Sequence, residues 1–535
     1  MAMSKHDYIA QTELKLMARQ IDRRQFMQRV LATGLAMATA SALADRAEAA
    51  TPQKGGSLTA GLGHGATTDT LDPGLYAAGF LIPMGLAMNG YLTEIDAASN
   101  IVPSLAESWE ASADAKTWTF KLRDGVEFHN GRSVTAEDVI VSINHHRGED
   151  NASAAAPLVA VVTETRADGP NVVVFELESG NADFPAALSD YHIAIQPAEG
   201  DKMDWQSGIG CGAYTLDEFE PGVSAKMTRH ANHWTDEVGH VDEWRLISLI
   251  DTNARTSAAL TGDADVIDKV DVKTAGRLAG HPELTVHSVA GTQHYSFPML
   301  TNQAPFDDNN IRQAIKWGFN REELVEKILF GYGSVGNDHP IGAGQKFFNN
   351  EMEQKSFDPD KAKFFLKEAG LTSIDVQLSA SDAAFSGAVD AALLIQNSAT
   401  EAGINVTVNR EPNDGYWSDV WMKKGWSASY WAGRPVEDLM FSLAFKSGVS
   451  WNESFWSNEK FDALLLEARA ELDEAKRRDM YWEMQDIVAN QGGVAIPMFA
   501  SYVFATRPSV GTPEVMGSNL DLDGSSFMQR WWKTS

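Results

Sequence analysis

A chain of 535 residues is too long for one hydrophobic core, so two or three subdomains are expected. With 44% apolar residues and fifteen Trp it is globular rather than disordered. A net charge of −29 argues against nucleic acid as a partner, and a single cysteine, Cys211, excludes internal disulfides and cysteine-based zinc or iron–sulfur sites.

The first fifty residues read as a leader. Residues 21–30 are IDRRQFMQRV, and LATGLAMATASALA follows: a charged region, then a short apolar run ending in small residues. Arg23-Arg24 followed by Gln25-Phe26 predicts a twin-arginine export signal. Ala47-Glu48-Ala49 predicts cleavage near Ala49/Ala50. The apolar run is shorter than the roughly 20 residues a membrane span needs. No cysteine stands at the cleavage site, so no lipid anchor is expected. The mature protein is expected in the periplasm.

Further along, GSLTAG (56–61) alternates and predicts a first strand, and TTDTLDPG then predicts a turn. WTFKLR (118–123) alternates strictly, as a half-buried strand does. Asp124-Gly125 predicts a hairpin turn, with VEFHNGRSV (126–134) as the return strand and Asn130-Gly131 as a second turn. Thr135 is a good N-cap, and Asp138 three residues on completes a near capping box. His129, beside a turn, reads as a surface or turn histidine. The whole stretch 121–139, dense in charged residues and glycine, therefore reads as architecture. VVVFEL (172–177) predicts another strand. Residues 251–268 predict a helix, a Gly-Asp turn and a short strand. Residues 311–330 are amphipathic at helical spacing. Residues 358–370 predict a capped helix closed by Gly370. Residues 461–490 predict one or two helices with a soft break near Leu472-Asp473. Alternating strands and helices give an α/β class. No repeat or long linker is present, so lobes would join through crossing strands.

The chemistry is sparse. HExxH, GxSxG and P-loop patterns are absent. GYGSVG (331–336) follows a helix and opens none, so it reads as a turn, as does GLGHG (61–65). His145-His146 diverge on a helix and cannot share a metal. Cys211, in GIGCGAY, reads as a small buried residue. No nucleophile–base pair can be assembled. Between 416 and 456, by contrast, stand Tyr416, Trp417, Trp421, Trp426, Tyr430, Trp431, Trp451 and Trp456, a density that points to an aromatic-lined pocket. SYWAGRPVEDLM (429–440) sets Trp431 and Gly433 beside Arg434. The guanidinium fork suits a carboxylate or phosphate; the alternative is a surface ion pair with Glu437 or Asp438.

These motifs resemble the large extracytoplasmic solute-binding proteins of ABC importers, family 5, the peptide, opine and nickel type. The signature of that family is a strand, then R-D-G-V-x-F-x-N-G, then T-A-E-D-V; Arg123, Asp124, Gly125, Phe128, Asn130, Gly131, Thr135, Ala136, Asp138 and Val139 match it. LDPG at 71–74, ALTGDADV at 259–266, FDDNNIRQAIKWGFNREELV at 306–325 and IPMF at 496–499 extend the likeness over essentially the whole mature chain. The resemblance implies an α/β, type II periplasmic-binding-protein-like flytrap of two lobes, with an extra subdomain on the first that carries the signature as scaffold. The implied division is a leader at 1–49, lobe I at 50–104, 205–295 and 496–535, the extra subdomain at 105–204, and lobe II at 296–495. It implies a small-molecule ligand, no cofactor, no metal and no catalysis. The closed form, expected as a monomer, would dock on an ABC permease with its ATPase subunits at the inner membrane.

The departures from the family are informative. Peptide-binding relatives clamp the ligand's α-ammonium with an aspartate three residues after a tryptophan; here that position is Arg434. The arginine that dipeptide binders carry in the region of LSASDAAFSG (378–387) is missing, and Asp382 is the nearest charge. The ligand would then present an anionic group to Arg434, or lie reversed with its ammonium near Asp382. Ala77 and Gly79, in YAAGF (76–80), match where relatives pair the peptide backbone. His294 and Tyr295 in GTQHYSFPMLTN and His339 in NDHPI are further candidates to line the cleft, against a hinge strand and a turn. With Trp417, Trp431, Gly433 and Asp438 they complete the candidate ligand-binding set. An oligosaccharide or metal-chelate ligand is an alternative, and a secreted hydrolase using Glu437, Asp438 or His339 is an alternative of another class.

Overall fold

The computed structural model describes residues 51–76, 79–148, 152–434 and 436–534, and before these only 8–9, 11–12, 15, 21, 23–33 and 37. The predicted cleavage site at Ala47–Ala50 lies outside the described residues. Arg23–Leu31 forms a helix that includes the twin-arginine positions. No described helix is long and apolar enough to cross a membrane.

In chain order the strands used below are β1 (Ser57–Leu62), β2 (Ala106–Ala111), β3 (Thr117–Leu122), β4 (Val162–Ala167), β5 (Val172–Leu177), β6 (Tyr214–Glu220), β7 (Ser224–Arg229), β8 (Glu243–Ser248), β9 (Val266–Ile267), β10 (Thr285–Pro298), β11 (Gly333–Val335), β12 (Ile374–Ala380), β13 (Ile404–Arg410), β14 (Ser429–Trp431) and β15 (Val494–Thr506). The helices are α1 (Ala136–His145), α2 (Asn309–Trp317), α3 (Arg321–Ile328), α4 (Pro359–Glu368), α5 (Ala388–Ala399), α6 (Glu437–Ala444), α7 (Glu459–Ala470) and α8 (Glu474–Gln491).

One sheet organises the molecule. Its order is β6-β7-β8-β1-β9-β15-β10-β14, with β11 also on β15. β1 runs parallel to β8 and β9, and the other pairs are antiparallel. β10 and β15 are the long members, and they pair from Thr285↔Thr506 to Pro298↔Val494 with a register shift between Ala290 and His294. Gly291 sits in that shift because a Cβ there would come within 2.5 Å of the Ala500 carbonyl. At the β1 end the sheet buries Leu58, Leu62, Trp244, Phe504 and Trp531 in one core. At the β14 end two further cores form, one around Phe297, Trp317, Leu378 and Trp426, the other around Phe441, Trp456, Phe461 and Tyr481.

A separate antiparallel sheet, β2-β3-β5-β4, packs Trp118, Phe120, Phe175 and Phe184 into a core of its own drawn from residues 92–211. The strands expected at 118–123 and 172–177 pair directly, Phe120 opposite Val173. The segment expected as a return strand is different. Residues 126–134 close on themselves through a single bridge, Glu127↔Ser133, and a turn in which the Gly131 N–H donates to the Phe128 carbonyl at 2.8 Å. Both flanks of β3 are already taken, by β2 and β5, so no ladder is left for it. Val126, Phe128 and Val134 instead drop into the core as a plug. His129 stands in the turn, as expected, and is half-buried: its Nδ1 accepts from the Gly210 N–H (3.2 Å), its Nε2 faces the Gly212 carbonyl (3.1 Å), and burial pushes its pKa down to about 4. It clamps the loop that buries Cys211.

The capping box at the start of α1 forms as expected, the Thr135 N–H donating to Asp138 at 2.9 Å. The buried Asp138 carboxylate also takes the exposed Arg132 and the Ala198 N–H, so it joins the turn, the start of α1 and residue 198. The amphipathic stretch 311–330 is two helices, α2 and α3. Gly318 ends the first close against Ile404, and the Asn320 side chain starts the second by accepting from the Glu323 N–H (3.0 Å). α4 opens on Asp358, which accepts from the Lys361 N–H (2.8 Å), and stops at Gly370 with φ +78°. α7 and α8 divide at Leu472-Asp473, where Asp473 caps α8. Within GYGSVG, Gly331 turns as expected and residues 333–335 go on to form β11.

Candidate functional site

Where β14 leaves the sheet, the chain enters a cavity of about 670 Å³. Its walls come from distant stretches: residues 86–95, 154–158 and 189–192 on one side, 432–443 with Trp451 on another, and 519–529 near the C-terminus.

Strand alternation decides what β14 presents. Trp431 points inward, packed near Trp451 at 5.9 Å between ring centroids. Beyond the strand, Gly433 passes Thr292 so closely that a Cβ would lie 1.6 Å from the threonine hydroxyl oxygen. Only glycine allows that path. It delivers Arg434 to the cavity wall, where Nη1 donates to the carbonyls of Ala432 (3.0 Å) and Gly433 (3.1 Å). The guanidinium carbon sits 6.0 Å from the Trp431 ring centroid. Burial lowers the arginine's pKa, partly offset by Tyr191 and Asp190 across the cavity. Among the described residues no carboxylate comes within 4.0 Å of Arg434. Asp190 is engaged by the ring (2.6 Å) and N–H (3.0 Å) of His192.

The ion pair considered for Arg434 with Glu437 or Asp438 does not form. Glu437 is buried and accepts from the Phe347 N–H (2.8 Å), and burial raises its pKa to about 7. Asp438 turns inward to Arg469 (3.1 Å). Both lie at the start of α6, whose opposite face, carrying Leu439 and Leu443, meets the cavity.

Among the described residues, the other predicted ones do not line this cavity. His294 is on the inward face of β10 with Nε2 unpartnered, and burial pushes its pKa to about 4. His339 is enclosed with both ring nitrogens unpartnered and a pKa pushed to about 3 by burial. Both rings are therefore neutral at pH 7. Tyr295 faces the other side of the sheet and stacks on Phe385 at 4.1 Å. Trp417, also there, packs edge-on to Tyr430 at 5.8 Å. Asp382 is exposed near the start of α5, where it accepts from the Val389 N–H at 3.4 Å. Gly79 lies beside Asp268, and Ala77 lies outside the described residues.

Two features had no sequence signal. Glu453 is a buried carboxylate accepting from Ser296 Oγ (3.0 Å), Ser429 Oγ (2.8 Å) and Trp421 Nε1 (2.8 Å), so it fastens β10, β14 and the aromatic segment together. The wall at 519–526 holds Leu522, Asp523 and Ser525 at φ of +52°, +60° and +62°. Asp523 secures that turn by accepting from the Gly517 N–H (2.6 Å), Arg530 (2.9 Å) and Trp531 Nε1 (3.1 Å).

Residues 100–453 match the model for bacterial extracellular solute-binding proteins, family 5 (middle region). Among curated relatives, di/tripeptide-binding protein 2 of Pseudomonas aeruginosa (strain UCBPP-PA14) is 25% identical, with 80% of this chain and 86% of that protein covered. The glutathione-binding protein of Escherichia coli (strain K12) is 26% identical, covering 79% and 85%. Among solved structures, HbpA2 from Haemophilus parasuis superposes with a TM-score of 0.80 at 18% identity, over 90% of this chain and all of that one. The binding protein AgaA of A. tumefaciens R10, in complex with agropinic acid, gives 0.68 at 22% identity, over 90% and 99%. The fold is thus the α/β, type II periplasmic-binding-protein arrangement.

Proposed function

Because the chain belongs to family 5 of the bacterial extracellular solute-binding proteins, we propose that it is the capture component of an ABC importer for a small peptide or amino-acid-derived, opine-like solute bearing an anionic group. The observation that carries this is Arg434: a half-buried guanidinium on the wall of a large cavity, with main-chain carbonyls as partners and no described carboxylate within 4.0 Å. A ligand carboxylate would supply the missing bidentate partner. The relatives' names, di/tripeptide-binding and glutathione-binding, fit a solute of this kind.

In this reading 50–104, 205–295 and 496–535 form lobe I, 105–204 its extra subdomain, and 296–495 lobe II, joined by β10 and β15. The solute stabilises the closed arrangement by its higher affinity for it, and that arrangement is delivered to the permease and its ATPase. The protein reaches the periplasm through the twin-arginine route and acts there as a monomer without catalysis. The enclosed, unpartnered ring of His339 and the inward-turned Glu437 and Asp438 weigh against the hydrolase alternative.

A thermal-shift screen of residues 50–535 against di- and tripeptides, opines, acidic amino-acid derivatives and oligosaccharides tests the reading. A solute at about 100 times its Kd adds roughly 2.7 kcal/mol of stability. The proposal expects acidic solutes to raise Tm, to be recovered chemically intact, and to lose their effect in Arg434→Ala. Shifts by neutral sugars that survive Arg434→Ala would overturn it.

A further inference from the structure

The cavity is not uniformly polar. Besides Arg434, three parts of the chain contribute apolar side chains to its lining. Leu439 and Leu443 are one turn apart on α6 and so share a face. Pro157 and Leu158 come from the short helix Ala156–Val159, which belongs to the other core. Trp451 leaves 47% of its surface exposed although its neighbour Trp456 is buried. Pro157 is exposed, and Leu158, Leu439 and Leu443 are only half-buried although Leu158 and Leu443 pack against cores on their other side. Apolar surface gathered from separate elements around one cavity is costly in water and is offset when a ligand covers it.

Two carboxylates of the lining have partners. Asp190 is held by His192 and Glu94 accepts from Ser104 Oγ at 2.5 Å. Arg434 is the one Arg or Lys among the described lining residues.

Resting on the reading that Arg434 takes the solute's anionic group, we propose that this solute is an amphipathic anion, a carboxylate joined to an extended apolar chain or side chain that lies along Leu439, Leu443, Leu158 and Trp451. A peptide or derivative ending in a large apolar residue, or an acylated amino acid, has this form; a strongly polar opine has not. The solute spans the cavity, so it touches Leu158 and Leu443, which pack on two different cores, and its apolar part rewards closure as well as binding.

The test uses N-acylglycines of increasing chain length (acetyl, butanoyl, hexanoyl, octanoyl) titrated into the mature protein by calorimetry, with octanoylglycinamide as the uncharged control. Each added methylene that enters the wall tightens Kd by about fourfold, the transfer of one CH₂ out of water. Leu443→Asn and Leu158→Asn, on separate elements, are each expected to flatten this dependence. The second variant guards against misfolding of the first. A Kd independent of chain length, with acetylglycine still bound in an Arg434-dependent way, overturns the apolar wall and leaves the anion site standing. Equal binding of octanoylglycine and its amide overturns the amphipathic anion and the Arg434 reading together. No binding by any member up to millimolar concentration also overturns the proposal.

Discussion

Asp338→Asn should be among the most damaging single changes in the chain. The Asp338 side chain is fully enclosed. Its Oδ2 accepts from Arg321 Nη2 at 2.7 Å and faces Lys355 Nζ at 3.9 Å; its Oδ1 accepts from the Ile496 N–H at 3.0 Å. Arg321, equally buried, donates onward to the carbonyls of Lys316 (2.7 Å) and Ile496 (3.3 Å). The pair therefore ties α3 to β15. Asparagine keeps an acceptor but removes the charge, leaving buried Arg321 uncompensated, which costs about 3–5 kcal/mol. Urea denaturation followed by Trp fluorescence reads the loss as a shift in the midpoint of the first transition. Replacing both partners, Asp338→Leu with Arg321→Met, should recover only part of it, because buried Lys316 and Lys355 lose the same carboxylate and the Ile496 N–H its acceptor. Burial would raise the Asp338 pKa, but Arg321, Lys316 and Lys355 outweigh it and hold the group below the usual carboxylate range. A carboxyl depressed on folding contributes stability above its unfolded pKa of about 3.9, lost as pH falls through the folded value. The variant's deficit should then shrink only in acid. A deficit under about 1 kcal/mol at pH 7, or one unchanged by the second substitution, would refute the argument.

Glu437 has the opposite sign. Its pKa is raised to about 7 by burial, so its favourable contribution is present below the unfolded value of about 4.3 and lost as pH rises through about 7. Glu437→Gln, which keeps an acceptor for the Phe347 N–H, should raise Tm at pH 8 and match the parent at pH 4; no gain at pH 8 contradicts the assignment. Glu453→Ala orphans two buried donors, the Ser296 and Ser429 hydroxyls, at about 1–3 kcal/mol each, and frees the half-buried Trp421 N–H, so at least about 2 kcal/mol should be lost in urea denaturation, with a changed Trp emission from Trp421. Gly433→Ala places a methyl on Thr292 and should displace Arg434, weakening acidic solutes tenfold or more in calorimetry while far-UV circular dichroism stays unchanged.

The sequence was legible where a local rule acts alone. Alternation located β1, β3 and β5, and a cap followed by a glycine located α4. The dense stretch 121–139 proved structural because Arg132, Thr135 and Asp138 satisfy one another. Long-range competition was not legible. Residues 126–134 have strand chemistry but no free edge, because β2 and β5 already flank β3. The same limit applies to the site. Arg434 and Gly433 stood out through composition and family departure, whereas Asp190, Leu158, Leu443 and Asn519 reach the cavity only through tertiary packing. His339 and Asp438 have the residue types of a site and are enclosed instead.

The most direct measurement is calorimetric titration of the strongest acidic hit from the solute panel, and of its carboxamide, into the mature protein and its Arg434→Ala variant. The account predicts that the carboxamide binds the parent at least tenfold more weakly than the acid, and that Arg434→Ala weakens the acid and abolishes this difference. Equal affinities for acid and amide in the parent, or an undiminished preference for the acid in the variant, would contradict it.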